Sequence, residues 1–386
     1  MTNVYPRRLR LGMVGGGNRG NIGRSHRAAA LMDGRWDIVA GALSRDFRVT
    51  QESAKAWLIP EDRAYATPEN MAEREACRGD PIDAVTICTT NESHYDIACT
   101  FIDKGIPVIC DKPLTISMEK AEDLVRRTRS AGVLFAVTHN YSGYPMVRMA
   151  REMVARGDIG TIRSVAVEYV SQYQTQPSSG PDWQNDPARS GPLGVVAGTG
   201  THAHHLAEFM TGLRITELSA DLSSLVEGHR LDDHATMHLR FSNGARGSLW
   251  CTTIAPGNEN GLRIRIYGSL GGLEWSQEHP NQMKFTRTNG QPTILSRGGF
   301  DQTAAAVAAT RLPSGSPEGY IEAFANLYGD IADAIWSRLQ GGPLPVPSLF
   351  PTVEDGARGV RFMFAALESS RSESRFVTTK LDYLGD

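Results

Sequence analysis

The stretch from Leu9 to Gly20, LRLGMVGGGNRG, decides the fold of this chain. An apolar run is followed at once by Gly15, Gly17 and Gly20, which are spaced as GxGxxG. This order predicts a strand, a tight turn and the start of a helix: the first glycine permits the turn, the second lets backbone approach a diphosphate, and the third lets the helix pack on the strand. The positive end of the helix dipole favours phosphates there. GxGxxG also occurs in ordinary glycine-rich turns, but its place between a strand and a helix favours dinucleotide binding.

The sequence around this stretch repeats the same alternation of strand and helix. Short apolar runs recur at 37–43, 84–89, 107–110 and 134–137. Helix-compatible segments lie between them at 26–32, 50–57, 95–103 and 118–130. Such alternation predicts a doubly wound α/β domain with a parallel sheet. We therefore expect a dinucleotide-binding domain at residues 1–140.

Beyond residue 140 the pattern changes to longer strands, and Ser242-Asn243-Gly244 is typical of a hairpin turn. We expect residues 141–386 to form an α+β domain with a large, mostly antiparallel sheet. Residues 290–317 are rich in Gly, Pro, Ser and Ala, which predicts a mobile excursion over the surface.

Composition excludes several classes of protein. The chain has 386 residues, 40 Lys and Arg against 43 Asp and Glu, and a net charge of −3, without a basic stripe, which argues against a nucleic-acid partner. No apolar run approaches the ~18 residues of a membrane span, and the N-terminus lacks the apolar core of a secretory signal. The five cysteines show no CxxC spacing and predict reduced thiols of a cytoplasmic protein.

The end of the second apolar run reads Ala42-Leu43-Ser44-Arg45-Asp46 and lacks the acidic residue that usually binds the adenosine ribose of NAD at the strand tip. Ser44 and Arg45 can accept the 2′-phosphate of NADP. Alternatively, Ser44 bonds a free 2′-hydroxyl while Arg45 covers the adenine. We expect NAD and leave NADP open, and a solvated surface arginine is the third interpretation.

Lys112 follows the fourth apolar run, in Cys110-Asp111-Lys112-Pro113. The carboxyl end of a parallel strand is where open α/β sheets bind ligands. Lys112 is therefore predicted to donate to a substrate hydroxyl near the nicotinamide, with a surface cation at a strand end as the alternative.

Three histidines cluster at positions 202, 204 and 205 in GTGTHAHHL. His202, on a Gly-rich turn, is predicted to be a general base because imidazole titrates near neutrality. A metal site is the alternative, but Glu208 alone does not complete a ligand set, so we predict no metal.

Five motifs together resemble the Gfo/Idh/MocA family (glucose–fructose oxidoreductase / inositol dehydrogenase) over nearly the whole chain. They are the glycine turn, TTNESH at 89–94, Asp-Lys-Pro at 111–113 in place of Glu-Lys-Pro, HNY at 139–141, and the Gly-x-His ending at 202. The resemblance implies a Rossmann domain, a second domain whose open sheet forms a homo-oligomer interface (dimer or tetramer), and hydride transfer at a sugar or polyol carbon.

The resemblance also implies roles for individual residues. Lys112 bonds the reacting hydroxyl and His202 is the general base. The complete predicted cofactor site consists of Gly15, Gly17, Asn18, Arg19, Gly20, Ser44, Arg45, Thr89, Asn91, His94, Asp111, Lys112 and Asn140.

One position departs from the family pattern. Family dehydrogenases usually have Asp four residues before the histidine, and this chain has Gly198. Lys112 then lacks its usual anionic partner, unless Asp111 supplies the charge or the substrate is itself an anion, such as a carboxylated or sulfonated sugar.

The predicted substrate site combines aromatic faces for sugar C–H groups with a forked donor. Packing between domains is the alternative for Tyr144 and Trp183. The residues are Tyr141, Tyr144, Trp183, Arg189 and His205.

Three functions remain open at this point. The first is a sugar or polyol dehydrogenase that uses NAD. The second is an NAD-dependent glycosidase that works by transient C3 oxidation, elimination, hydration and re-reduction, on an anionic glycoside such as a sulfoquinovoside. The third is a cofactor-bound sensor, against which the presence of Lys112 and His202 argues.

Overall fold

The computed structural model describes residues 6–18, 20–177, 183–343 and 348–385. The chain forms two compact units. Unit 1 comprises Met1–Thr115, Glu119–Asn140 and Phe324–Ala357, and unit 2 comprises Ile116–Met118, Tyr141–Ala323 and Arg358–Asp386.

Unit 1 contains a five-stranded parallel sheet in the order β2-β1-β3-β4-β5. This arrangement confirms the predicted doubly wound fold, and each strand lies within one or two residues of its apolar run. The strands are β1 (Leu9–Gly15), β2 (Trp36–Ala42), β3 (Ala84–Cys88), β4 (Val108–Cys110) and β5 (Phe135–Val137).

Helices alternate with these strands. Sequence analysis missed α3, although its start is well marked: Thr67 Oγ1 accepts from the backbone N–H of Asn70 at 3.2 Å, and Pro68 occupies the first helical position. The helices are α1 (Asn21–Met32), α2 (Phe47–Ala56), α3 (Pro68–Ala76), α4 (His94–Ile102) and α5 (Met118–Ala131).

Unit 2 contains a nine-stranded sheet in the order β13-β12-β11-β10-β6-β9-β8-β7-β14, in which only the β6–β9 pair is parallel. Buried and more exposed residues alternate along its strands, so one face packs on the core of the unit. The strands are β6 (Ile162–Val170), β7 (Ile215–Ser223), β8 (His234–Phe241), β9 (Arg246–Thr252), β10 (Gly261–Gly268), β11 (Gly271–Ser276), β12 (Gln282–Arg287), β13 (Thr293–Ser296) and β14 (Val377–Thr378).

Four helices belong wholly to unit 2, and a π-helical turn at Val196–Gly200 precedes the third of them. Two longer helices each contribute residues to both units. The six helices are α6 (Pro145–Ala155), α7 (Pro187–Ser190), α8 (Thr201–Thr211), α9 (Ala304–Ala309), α10 (Tyr320–Leu339) and α11 (Val353–Arg371).

Residues 324–357 fold with unit 1, a return that the predicted division at residue 140 does not include. Tyr328 of α10 carries this packing. Its hydroxyl lies 2.8 Å from Nδ1 of the buried His26, and its carbonyl accepts from Trp36 Nε1 at 3.0 Å. Burial lowers the pKa of His26 to about 4, so the ring is neutral.

Residues 290–317, predicted to be a mobile excursion, include β13 and α9 and are anchored by a buried ion pair. Arg297 Nη1 lies 2.9 Å from Glu318 Oε1, and its Nε donates to Asn281 Oδ1 at 2.7 Å. The glycines and prolines indicated turns correctly, but composition does not reveal a long-range charge pair.

Among the described residues, no helix is both long and apolar enough to cross a membrane.

Candidate active site

The turn after β1 brings backbone segments unusually close together. Gly15 and Gly16 have φ of +74° and +69°, in the left-handed region that favours glycine. A Cβ on Gly23, in α1, would lie 2.0 Å from the carbonyl oxygen of Gly16. Gly23 is thus the residue that lets α1 pack on the turn, and sequence analysis missed it because it lies outside the GxGxxG spacing.

The rest of the turn fits a dinucleotide diphosphate. A Cβ on Gly17 would lie 2.8 Å from Ser53 Oγ, which also accepts from the backbone N–H of Asn18 at 3.1 Å. Gly20 is the N-cap of α1 and gives no side-chain cap, and the first turn has no acidic residue among the described residues. The first N–H groups of α1 are therefore suited to bind an anion such as a phosphate. Arg19 lies outside the described residues.

The chain beyond β2 holds the two predicted ribose residues. The backbone N–H of Ser44 donates to Thr50 Oγ1 at 3.0 Å, and Ser44 Oγ accepts from the N–H of Asp46 at 3.1 Å. Arg45 is exposed, and its Nη2 donates to Glu92 Oε1 at 3.0 Å. Sequence analysis did not foresee this pair.

The loop after β3 is held by short-range hydrogen bonds. Ser93 Oγ donates to Thr89 Oγ1 at 2.8 Å, and Asn91 is buried. The buried ring of His94 has Nδ1 at 2.8 Å from the carbonyl oxygen of Pro113 and Nε2 at 3.1 Å from that of Thr89. His94 therefore joins the loops that follow β3 and β4.

Lys112 follows β4 and is half-buried. Burial lowers its pKa below the usual 10.5, and the charge of Asp111 opposes that shift. Asp111 Oδ1 accepts from the backbone N–H of Lys112 and from Thr138 Oγ1, both at 2.9 Å. Asp111 is thus an anionic neighbour of the lysine, held in place by β4 and by the residue that follows β5.

Asn140 is buried at the end of the second segment of unit 1. Its amide Nδ2 has no hydrogen-bond acceptor within the part of the chain that the structure describes. An unused buried donor is costly, so this amide is suited to a ligand oxygen.

His202, in unit 2, is the second residue of α8 and is buried beside two tyrosines. Its ring makes an edge contact with Tyr141, with centroids 4.9 Å apart and planes at 85°. Tyr141 Oη lies 2.5 Å from Tyr169 Oη, Tyr169 donates to Asn260 Oδ1 at 2.6 Å, and Asn260 Nδ2 donates back to Tyr141 at 3.5 Å. The three side chains close a hydrogen-bonded ring in which the Tyr141 proton points to Tyr169. Sequence analysis missed Tyr169 and Asn260.

Tyr144 is buried in the hydrophobic core of unit 2. Its ring stacks on Tyr141 at 6.2 Å and packs on Trp275 at 5.3 Å, and its hydroxyl accepts from Gln277 at 3.4 Å. Burial raises the pKa of Tyr144. These contacts favour packing within unit 2, whereas the alternative from the sequence was packing between domains.

The other two histidines of the cluster face different neighbours. His204 packs on Phe362 with centroids 4.6 Å apart, whereas His205 stacks on Phe209 at 5.7 Å. Within the described ranges, no group of three or more His, Cys, Asp or Glu is arranged to hold a metal ion.

The remaining predicted contacts lie on short helical turns. Trp183 begins a 3₁₀ turn at Trp183–Asn185, and Arg189 lies in α7; both are half-buried. Gly198 lies within the π-helical turn, and a Cβ there would have Tyr173 Oη, at 4.0 Å, as its nearest neighbour. Apart from its own neighbours in the turn, a Cβ at this position would meet none of the described residues more closely than 4.0 Å.

Comparison with known proteins agrees with this architecture. Residues 9–139 match the model of an oxidoreductase family with an NAD-binding Rossmann fold, and residues 147–274 match the GFO/IDH/MocA C-terminal domain. The chain belongs to the GFO/IDH/MocA family and contains its NAD-binding Rossmann domain, which confirms the resemblance noted in the sequence.

Three relatives illustrate the match. The structure of an oxidoreductase from Sinorhizobium meliloti is 42% identical with a TM-score of 0.88, covering 96% of this chain and 99% of that one. The inositol dehydrogenase homolog of Azotobacter vinelandii, complexed with NADH and myo-inositol, is 31% identical with a TM-score of 0.90 over 97% and 98% of the chains. Levoglucosan dehydrogenase of Pseudarthrobacter phenanthrenivorans is 26% identical over 95% of this chain and 97% of its own length.

Proposed function

We propose that the protein is an NAD-dependent dehydrogenase that removes hydride from a secondary hydroxyl of a sugar or sugar derivative. The observation that carries this proposal is Lys112, a half-buried ammonium beside Asp111 at the carboxyl end of β4. Removing a cation even partly from water is unfavourable, and a lysine with a lowered pKa at a strand end is a candidate for a functional group. The relatives that bind myo-inositol and levoglucosan support a polyhydroxylated substrate.

Each residue has a defined task in this reaction. Lys112 stabilises negative charge on the reacting oxygen, and His202 takes the hydroxyl proton. Asn140 donates to a bound oxygen, and the glycine turn holds the cofactor diphosphate. Bound NAD supplies the hydride acceptor. In this proposal unit 1 binds the cofactor and unit 2 provides substrate contacts, including Arg189.

Tyr141 has a different task from the sugar contact that the sequence predicted. Its hydroxyl donates to Tyr169 and accepts from Asn260, while its ring edge contacts His202. We assign it to positioning the imidazole.

The assay that tests the proposal compares two reactions. Incubation with a sugar panel and stoichiometric NAD should accumulate NADH. The His202→Ala variant should lose this activity by at least about 100-fold, because general-base catalysis contributes about that much. His279→Ala, which removes an exposed imidazole from the turn between β11 and β12, is the matched control and should retain full activity. Near-wild-type turnover by His202→Ala would contradict the assignment.

The redox-neutral glycosidase is the second candidate, and Gly198 is the observation that favours it. A glycine where the family has a carboxylate places no like charge beside an anionic substrate group, such as the sulfonate of a sulfoquinovoside. Release of aglycone from aryl glycosides over many turnovers, with catalytic NAD and no net NADH, would identify this reaction. Gly198→Asp should then lower activity on the anionic substrate more than on its neutral analogue, because like charges repel.

Two further proposals concern the molecule as a whole. All five cysteines are thiols in the structure, which supports a reducing, cytoplasmic setting. The family resemblance supports a homo-oligomer, either a dimer or a tetramer.

A further inference from the structure

The ion pair between Arg45 and Glu92 lies at the carboxyl edge of the parallel sheet. Arg45 follows β2 and Glu92 follows β3, and these two strands flank β1, from which the glycine turn emerges. The pair therefore joins the two loops on either side of that turn. Its atoms are Arg45 Nη2 and Glu92 Oε1, 3.0 Å apart.

A contribution to the folding stability of the protein does not explain why Arg45 and Glu92 form an ion pair. The Arg45 side chain is 78% exposed, and exposed ion pairs contribute little to folding. Glu92 is more fixed: its side chain is 24% exposed, and the same Oε1 accepts from Thr90 Oγ1 at 2.7 Å. The Glu92 carboxylate is thus held in place by Thr90, and the more exposed Arg45 guanidinium pairs with it.

A second pair completes the charge balance of the loop after β2. Arg48 Nη2 lies 3.6 Å from Asp46 Oδ2, and the Asp46 side chain also accepts from the backbone N–H of Arg48 at the start of α2. Each guanidinium of the loop therefore faces a carboxylate. The side chains of Arg45, Arg48, Asp46 and Glu92 together therefore carry no net charge, which disfavours a 2′-phosphate dianion beside Arg45.

We infer that Glu92 is a specificity-determining residue that selects NAD against NADP by occupying Arg45. A free 2′-hydroxyl carries no charge and tolerates this arrangement. A 2′-phosphate would have to displace Glu92 from Arg45 and then lie beside the displaced carboxylate. This inference concerns cofactor binding, so it holds or fails separately from the proposed sugar chemistry.

Binding of NADH and NADPH in the absence of substrate, followed by nicotinamide fluorescence, tests the inference. Wild type should bind NADH more tightly than NADPH. Glu92→Gln keeps the shape of the side chain but frees Arg45, so NADPH affinity should rise by roughly tenfold with NADH affinity nearly unchanged. Glu73→Gln removes an exposed carboxylate from α3 and is the matched control, expected to change neither affinity.

The double variant Arg45→Gln/Glu92→Gln separates the two residues. If Glu92 acts through Arg45, the gain in NADPH affinity disappears in the double variant. Three outcomes would each overturn the inference. Glu92→Gln could leave the NADPH affinity unchanged, or the increase in NADPH affinity could persist in the double variant. Wild type could also bind NADPH more tightly than NADH.

Discussion

Lys112 is half-buried and carries a charge that the proposed reaction needs. Its pKa is lowered because burial disfavours the ammonium more than Asp111 favours it. The cation is therefore lost on the alkaline side at a lower pH than for an ordinary lysine, whose pKa is about 10.4. Below that pKa the group is protonated and active.

We expect kcat/KM for substrate oxidation to fall at alkaline pH, with an apparent pKa below 10.5. Lys112→Arg is the control, since a guanidinium stays charged throughout this range. Whatever rate that variant retains, its alkaline decline should be absent or displaced to higher pH. If kcat/KM of the wild type declined with an apparent pKa at or above 10.5, the titrating group would not be this lysine.

Single residues also show where sequence reasoning stops. Lys112 and His202 were predicted because strand ends and Gly-rich turns leave local signals. The ring of Tyr141, Tyr169 and Asn260 leaves none, since Asn260 is more than a hundred positions from Tyr141 in the chain. The Arg45–Glu92 pair was missed for the same reason.

At the scale of elements, the glycine turn and α1 approach each other closely through their backbones. We predict that Gly23→Ala destabilises unit 1 by about 1–3 kcal/mol and weakens NADH binding, because its Cβ would collide with backbone at Gly16. Gly359→Ala is the control: Gly359 lies in α11, and a Cβ there would meet nothing within 4 Å. That substitution should be neutral or stabilising by up to about 1 kcal/mol.

Thermal unfolding and NADH fluorescence measure both effects. If Gly23→Ala and wild type had the same free energy of unfolding and the same NADH affinity, the prediction would be wrong. The turn and α1 could then move apart without a loss of stability.

The regular elements were predictable because periodicity and flanking turns are local features. Four of the five helices that alternate with the strands of unit 1, and all five of those strands, were located this way. Residues 290–317 show the limit: their Gly and Pro content indicated turns, but the buried Arg297–Glu318 pair that anchors them depends on residues 21 positions apart. The π-helical turn before His202 has no recognised sequence signal.

On the scale of the whole molecule, the exposed face of the nine-stranded sheet carries large side chains. Trp250 of β9 is 38% exposed and Tyr267 of β10 is 47% exposed. If the homo-oligomer forms through this face, as the family resemblance implies, Trp250→Glu should shift the protein from dimer or tetramer toward monomer in analytical ultracentrifugation. Leu58→Glu, which alters a residue 89% exposed in unit 1, should not. A wild-type monomer at assay concentration would contradict the expectation.

The return of residues 324–357 to unit 1 has a consequence for biosynthesis. Trp36 and His26 emerge from the ribosome long before Tyr328, their packing partner, and thirteen of the fourteen strands precede that tyrosine in the chain. Domains usually complete themselves in the order in which they are translated. Here the nucleotide-binding unit, although it begins first, stays incomplete until nearly all of the second sheet has been made. The nascent chain must therefore keep an unfinished apolar surface from aggregating throughout that interval.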